Sequence, residues 1–409
     1  EVLRHDQQHR LPTAHQPVQQ LTSGRPTPDD VTIIASADIP GGRHVAGFSQ
    51  DPDDHALYQF LLGDGSEPIS ADVVATGFDI AREVSSGDLV GIGTFLGSLP
   101  ESLCFVRSTR DDYRIDIYLT DDEEWPDIEK YALTFYRRVW PGIPHEVELH
   151  STLIGSYSPD LIGRIEFTHE GRSYVLGTLR RLPIGVNAWH RARHDAQAQM
   201  YSHSEGVQLG KTLRLIHDSM LMAFGYEWVP TASVARRLSK RLDYFTEGTP
   251  SLTPFIPLIR KWYQLPDGEV LVQRVHGNIC LEQLWLEEDS WLIGGWEGDI
   301  RLPMPERIVP GCSLEDLASL VRSLYWASGG NTAWCTETMR AVTEGYGHPL
   351  LSPLLFAYVL DKICEEIYIE THRPDGQPDV PLRFLEYFRA SAPEPPLDNP
   401  GSEFLRLSP

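Results

Sequence analysis

The spacing of apolar and polar residues changes period along this chain, and the change divides it. From residue 31 the apolar positions come in short runs: Val31-Thr-Ile-Ile34, Arg43-His-Val-Ala-Gly47 and Ala56-Leu-Tyr-Gln-Phe-Leu-Leu62. Pro40-Gly-Gly42 and Asp51-Pro-Asp-Asp54 stand between them, which predicts short strands joined by turns. Residues 69–90 break the pattern, and Ile80-Ala-Arg-Glu-Val84 predicts a small helix or loop covering that sheet. Strands return with Leu103-Cys-Phe-Val106, Tyr113-Arg-Ile-Asp-Ile-Tyr-Leu119 and Tyr131-Ala-Leu-Thr-Phe-Tyr136, the last two separated by the acidic turn Asp121-Asp-Glu-Glu124. Glu146-Val-Glu-Leu-His-Ser-Thr-Leu153 predicts one helix. Two more strands, Ile162–Phe167 and Ser173–Leu179, meet at Glu170-Gly171. Beyond Trp189 the period is helical. Leu209, Leu213, Ile216 and Met220 mark one face of a segment running from Ala192 to Ala223, with Gly225 as its stop. Leu314–Trp326 and Leu360–Tyr368 read as further helices. The predicted class is α+β, in four parts: a loose polar arm over 1–30, a cap subdomain over 31–100, a strand-rich lobe over 101–183 and a helical lobe over 184–409. The proline-rich end after Ala390 predicts irregular structure.

A chain of 409 residues can bury a large core, so more than one subdomain is expected. The formal charge of −23 argues against nucleic-acid or anionic-membrane partners, because the field repels phosphates at long range. It would repel ATP as well unless a local basic patch compensated. Cys104, Cys280, Cys312, Cys335 and Cys364 are scattered and odd in number, which fits a reduced cytoplasmic protein better than a disulfide or zinc framework. No apolar run approaches the roughly 18–20 residues of a membrane span, and no signal-peptide pattern opens the chain.

Chemistry concentrates in Gln273-Arg-Val-His-Gly-Asn-Ile-Cys-Leu-Glu-Gln283 and Trp291-Leu-Ile-Gly-Gly-Trp-Glu-Gly-Asp299. Strand, loop, strand and Gly-rich acidic loop is the layout of the catalytic and metal loops in kinase-like phosphotransferases. The segment resembles the maltokinase family, a branch of the aminoglycoside-phosphotransferase-like kinases, whose pattern is Q-R-V-H-G-D-L-H-L-G-Q followed by D-F-E-G-E. Gln273, Arg274, Val275, His276, Gly277, Leu281, Gln283, Glu297 and Gly298 match it. Leu314–Trp326 also matches the family's D-x-A-x-x-x-R-S helix through Asp316, Ala318, Arg322 and Ser323. The resemblance implies a protein-kinase-like bilobal fold with a cap, a strand-rich N-lobe and a helical C-lobe. It further implies ATP and Mg²⁺ as cofactors, and a sugar hydroxyl as phosphate acceptor.

The reactive positions depart from that pattern. Asn278 stands at the catalytic aspartate position and Gly295 at the metal-binding aspartate position. Thr134 stands where the third strand's L-K-x-F-R-R places its lysine, with Lys130 the one lysine nearby. Glu148 matches the helix glutamate that pairs with that lysine; the alternative is a solvated helix acid. Asparagine can accept a hydrogen bond from a hydroxyl but cannot take its proton, and loss of a general base alone costs about 10²–10⁴-fold. Glycine offers a hard cation no side-chain oxygen.

The expectation is a maltokinase-like pseudokinase that binds a sugar or a protein partner of trehalose, maltose or α-glucan metabolism. A working sugar kinase is the alternative, with magnesium relocated to Glu297 and Asp299 and Lys130 gripping phosphate. A third reading reuses the site for other chemistry through Cys280 beside His276. Gln273, Gln283, Arg322, Trp326 and Glu366 are the candidate sugar-binding residues, and Trp296 is expected to narrow the nucleotide side of the cleft.

Overall fold

A computed structural model describes residues 28–39, 42–52, 54–63, 102–108, 112–119, 129–136, 138–152, 157–159, 161–296, 298, 307–350, 352–373 and 376–391. The expected arm over 1–27, the helix or loop around Ile80–Val84, the acidic turn at 121–124, Glu297, Asp299 and the proline-rich end lie outside these residues. The chain divides into two compact units. One holds the described residues of 28–187 and 283–298; the other holds those of 188–282 and 307–391.

Two antiparallel sheets of the first unit are built by residues 31–182, and a third pairs Val186–Asn187 with the hairpin of Leu284–Glu287 and Ser290–Ile293. Strands β1 (Val31–Ile39), β2 (Gly42–Ser49) and β3 (Leu57–Gly63) pair in sequence order. The second sheet contains β4 (Ser102–Ser108), β5 (Asp112–Leu119) and β6 (Glu129–Tyr136). The two-residue β7 (Arg138–Val139) then returns to β3 and completes the first sheet. After helix α1 (His145–Thr152), β8 (Leu161–His169) and β9 (Arg172–Leu182) complete the second, in the order β4-β5-β6-β9-β8. The β8–β9 turn is made by Glu170 at φ 49° and Gly171 at φ 76°, the left-handed pair that a two-residue hairpin loop demands. Buried Gln59 of β3 ties the two sheets together. Its Nε2 donates to the Leu176 carbonyl of β9 at 2.6 Å and to the Tyr136 carbonyl of β6. The expected cap and strand-rich lobe therefore fall within one compact unit.

The second unit is helical. Its helices are α2 (Ala188–Ala198), α3 (His203–Phe224), α4 (Thr231–Glu247), α5 (Ile256–Trp262), α6 (Leu314–Ala327), α7 (Thr332–Tyr346), α8 (Pro353–His372) and α9 (Asp379–Ser391). Leu213, Leu242, Ile259, Leu317, Ile363 and Leu385 are among its fully buried core residues. The apolar spacing from Ala192 to Ala223 reads as one helical segment, yet the chain breaks at Gln199, whose φ is 53°. Gln199 Nε2 caps α2 on the Ala196 carbonyl at 2.9 Å. Ser202 then opens α3 by accepting the Glu205 amide, and the left-handed Gly225 closes it. No glycine or proline marks the break, so apolar spacing alone could not locate it.

Helices α3 and α7 approach at backbone distance because Gly206, Gly210 and Gly345 remove the intervening side chains. A Cβ at Gly210 would overlap the Val342 carbonyl, and one at Gly345 the Val207 carbonyl. The obstacle is main chain rather than a side-chain tip, so it cannot rotate aside. Gly210→Ala is expected to lower unfolding stability by about 1–3 kcal/mol. Met222→Ala, at an 82% exposed site of the same helix, should stay within about 0.5 kcal/mol of wild type. Urea unfolding of the two variants checks this, and equal midpoints would mean the helices can part without cost.

Candidate functional site

In the helical unit the strand Glu269–Gln273 runs into the loop that carries His276, Gly277 and Asn278. Val270, Leu271 and Val272 bury the strand, and Gln273 exchanges backbone hydrogen bonds with Gly311 at 2.9 and 2.8 Å. Gly277 turns the chain at φ 89°. Two residues of α6 bracket the loop. Asp316 accepts the amides of His276 at 2.9 Å and Gly277 at 2.8 Å, one on each oxygen. Ser323 Oγ accepts the Leu281 amide at 2.9 Å. Seven positions separate them, which is two helical turns and a return to the same face.

Asp316 is fully buried and also accepts from His217 Nε2 at 3.0 Å. An ionised carboxylate only accepts, so Nε2 carries the proton, and in the neutral ring Nδ1 accepts from the Tyr346 hydroxyl at 2.9 Å. Burial pushes the Asp316 pKa up. The hydrogen bond from His217, the neighbouring imidazoles and the Gly277 amide more than offset that, and hold it below the usual carboxylate range. His276 is also fully buried, and its Nδ1 accepts the Asn278 amide at 3.4 Å. Asn278 and Cys280 are half-buried.

Three of the candidate sugar ligands of this unit, Gln273, Arg322 and Glu366, are engaged with one another or with backbone. Gln273 is buried and its Nε2 donates to the His217 carbonyl at 2.8 Å. Arg322 on α6 bonds Glu366 on α8 at 2.8 Å, with both side chains about 15% exposed. Trp326 is half-buried.

In the strand-rich unit, α1 presents Glu146 inward. Glu146 is 3% exposed; it accepts from Thr178 Oγ1 at 3.0 Å and is ion-paired with Arg180, both on β9. The resemblance places the pairing glutamate at Glu148; Glu146, on the same helix, forms the ion pair with Arg180. Glu148, two positions on and so turned through about 200°, is half-buried. Thr134 and Lys130 lie in β6, in register with Thr178 and Leu182 of β9.

The glycine-rich loop follows the hairpin Leu284–Glu287 and Ser290–Ile293. Gly295, at the metal-aspartate position, has φ +74°, and a Cβ there would overlap the side chain of Gln283. The Gln283 carbonyl accepts the Gly294 amide at 2.8 Å, which fixes the two residues beside each other. Trp296 is buried within this unit, and its indole N–H donates to Ser158 Oγ at 2.8 Å and the Ile293 carbonyl at 2.6 Å. Among the described residues no group of three His, Cys, Asp or Glu side chains is placed to hold a metal ion.

No known family profile matches the sequence. The structure is similar to solved structures of glucosamine kinase. One crystal form superposes with a TM-score of 0.62 at 16% identity, covering 92% of this chain and 98% of that one. The complex of that enzyme with glucosamine, ADP and inorganic phosphate gives 0.59 at 16% identity, covering 92% and 97%. The chain thus has a kinase-like α+β fold.

Two expectations follow from the site. Asp316→Ala should cost about 3–5 kcal/mol, because it leaves two loop amides and a histidine without their buried acceptor. Since the folded pKa of Asp316 is depressed, its contribution is present above the unfolded value of about 3.9 and is lost as pH falls through the folded value. The wild-type advantage should be flat from pH 5 to 8 and shrink below about pH 4; a penalty under about 1 kcal/mol at pH 7 would mean the loop stands without Asp316. The second expectation concerns the thiols. Burial pushes Cys312 and Cys335 up to about 12 and Cys364 well above its ordinary value. Half-buried Cys280 should therefore be alkylated by iodoacetamide before Cys312, Cys335 and Cys364, as peptide mass mapping would show.

Proposed function

We propose that this protein is a maltokinase-like pseudokinase. It keeps the kinase frame, does not carry out ordinary phosphoryl transfer, and serves as a binding or regulatory partner in trehalose, maltose, α-glucan or related sugar metabolism. The observation that carries the reading is Gly295. Phosphoryl transfer asks the protein for a cation on the phosphates, an acid on magnesium and a group to orient and deprotonate the hydroxyl. At the metal position the backbone is left-handed and the space a side chain would enter holds Gln283. The acid is therefore absent, and its place is rebuilt for glycine. Asn278 supports the same conclusion, since its amide can orient a hydroxyl without removing its proton.

A sugar remains a plausible ligand class for such a protein, and glucosamine, bound by the structurally similar kinase, is the first to test alongside maltose. With ATP, magnesium and either sugar, the purified protein should form no sugar phosphate above the protein-free control. Asn278→Asp combined with Gly295→Asp should not restore turnover, because the second change puts a side chain on a left-handed backbone at φ 74°. Wild-type turnover in the range of about 1–100 s⁻¹ typical of kinases would overturn the reading and point to magnesium held elsewhere, with Glu297 and Asp299 the first residues to mutate.

A further inference from the structure

The strand-rich unit contains a buried charge pair that the lost-lysine account does not absorb. Arg180 sits on β9 with its side chain 12% exposed, against Glu146 at 3%. Thr178 donates to the other oxygen of the same carboxylate at 3.0 Å, and the Tyr136 hydroxyl lies 3.2 Å from Thr178 Oγ1. Glu146 is thus held by a hydroxyl on one oxygen and a guanidinium on the other, which fixes where the guanidinium stands. In the sheet register Arg180 faces Ala132 and Thr178 faces Thr134. The arginine is therefore one strand over, and two cross-strand pairs along, from the position where kinase-like enzymes keep a phosphate-gripping lysine.

Burying an ion pair carries a desolvation cost that an apolar pair of similar volume avoids. A glutamate and a cation have nonetheless been kept together here while the lysine position became threonine. Two other described cations of the unit, Arg138 and Arg181, are set apart from this pair. Arg138 is committed to Asp54 at 2.9 Å and stacks over Trp140 at 4.7 Å. Arg181 is the next residue along β9 and so faces the opposite side of the sheet. In a chain of net charge −23, an anionic ligand needs a local cation, and a planar guanidinium matches phosphate geometry better than an ammonium.

We propose that Arg180, oriented by Glu146, is the phosphate-binding cation of this unit, and that it takes the phosphates of a nucleoside di- or triphosphate without magnesium. The inference rests on the pseudokinase reading and deepens it: charge on the phosphates has moved to the neighbouring strand, and the metal has been dispensed with. Arg180 is a binding residue and Glu146 positions it.

Calorimetric titration of ATP, ADP and adenosine in EDTA tests this on the full chain. Wild type should bind ATP and ADP in EDTA at least about tenfold more tightly than adenosine, the factor a charge-assisted hydrogen bond supplies. Added magnesium should not tighten ATP. The double variant Arg180→Gln/Glu146→Gln removes both charges together, so no unpaired carboxylate is left buried. It should lose the preference for phosphates while binding adenosine as wild type does, and Arg180→Lys should keep part of that preference. The proposal is overturned if ATP and ADP bind no better than adenosine to wild type in EDTA, a comparison that needs no variant. It is also overturned if the folded double variant keeps the wild-type affinity for ATP, or if magnesium tightens ATP tenfold or more. Failure of the pseudokinase reading would show separately, as sugar phosphate formed with magnesium.

Discussion

One buried carboxylate sets the geometry of the helical unit's loop. Asp316 receives two consecutive loop amides and a histidine N–H in a fully buried position. Charge-assisted hydrogen bonds are roughly twice as strong as neutral ones, and leaving a buried partner unsatisfied costs more than the bond is worth in exchange with water. The loop therefore has one arrangement. Nothing in that constraint refers to residue 278. Asp316 and Ser323 fix main-chain amides of residues 276, 277 and 281, so the residue between them can change from acid to amide without disturbing the frame. The loop can thus keep its shape whichever side chain stands at 278.

The strand-rich unit shows the same separation between frame and chemistry. Gln59 joins two sheets by giving its amide protons to the carbonyls of Tyr136 and Leu176. Glu146 joins α1 to β9 through Thr178 and Arg180. Both are buried polar groups whose partners are supplied in full, which makes them specific as well as stabilising. Neither needs a metal or a lysine at 134. The cohesion of the unit is therefore independent of the groups that phosphoryl transfer would use.

How much of this could be read from the sequence depends on whether the signal is local. The alternation in Tyr113–Leu119, the Glu170-Gly171 turn and the Gly225 stop are written within a few residues, and the corresponding elements appear in the structure. The helix motif at Asp316 and Ser323 also stands out in sequence, because a spacing of seven brings both to one helix face. Other features are set by residues far apart in the chain. The break at Gln199 lacks a glycine or proline to announce it. The pairing of Glu146 with Arg180 depends on which way α1 faces β9 and on sheet register. Gln283 beside Gly295 is a contact across a hairpin, invisible until the hairpin is built.

That last contact shows how the two positions differ physically. The loop around Asn278 is held through main-chain amides by Asp316 and Ser323, so the side chain at 278 does not set its shape. At 295 the φ of +74° favours glycine, and any side chain there is strained even if the flexible end of Gln283 rotates away. A substitution at 278 therefore changes the chemistry of its loop alone, whereas one at 295 also works against the backbone.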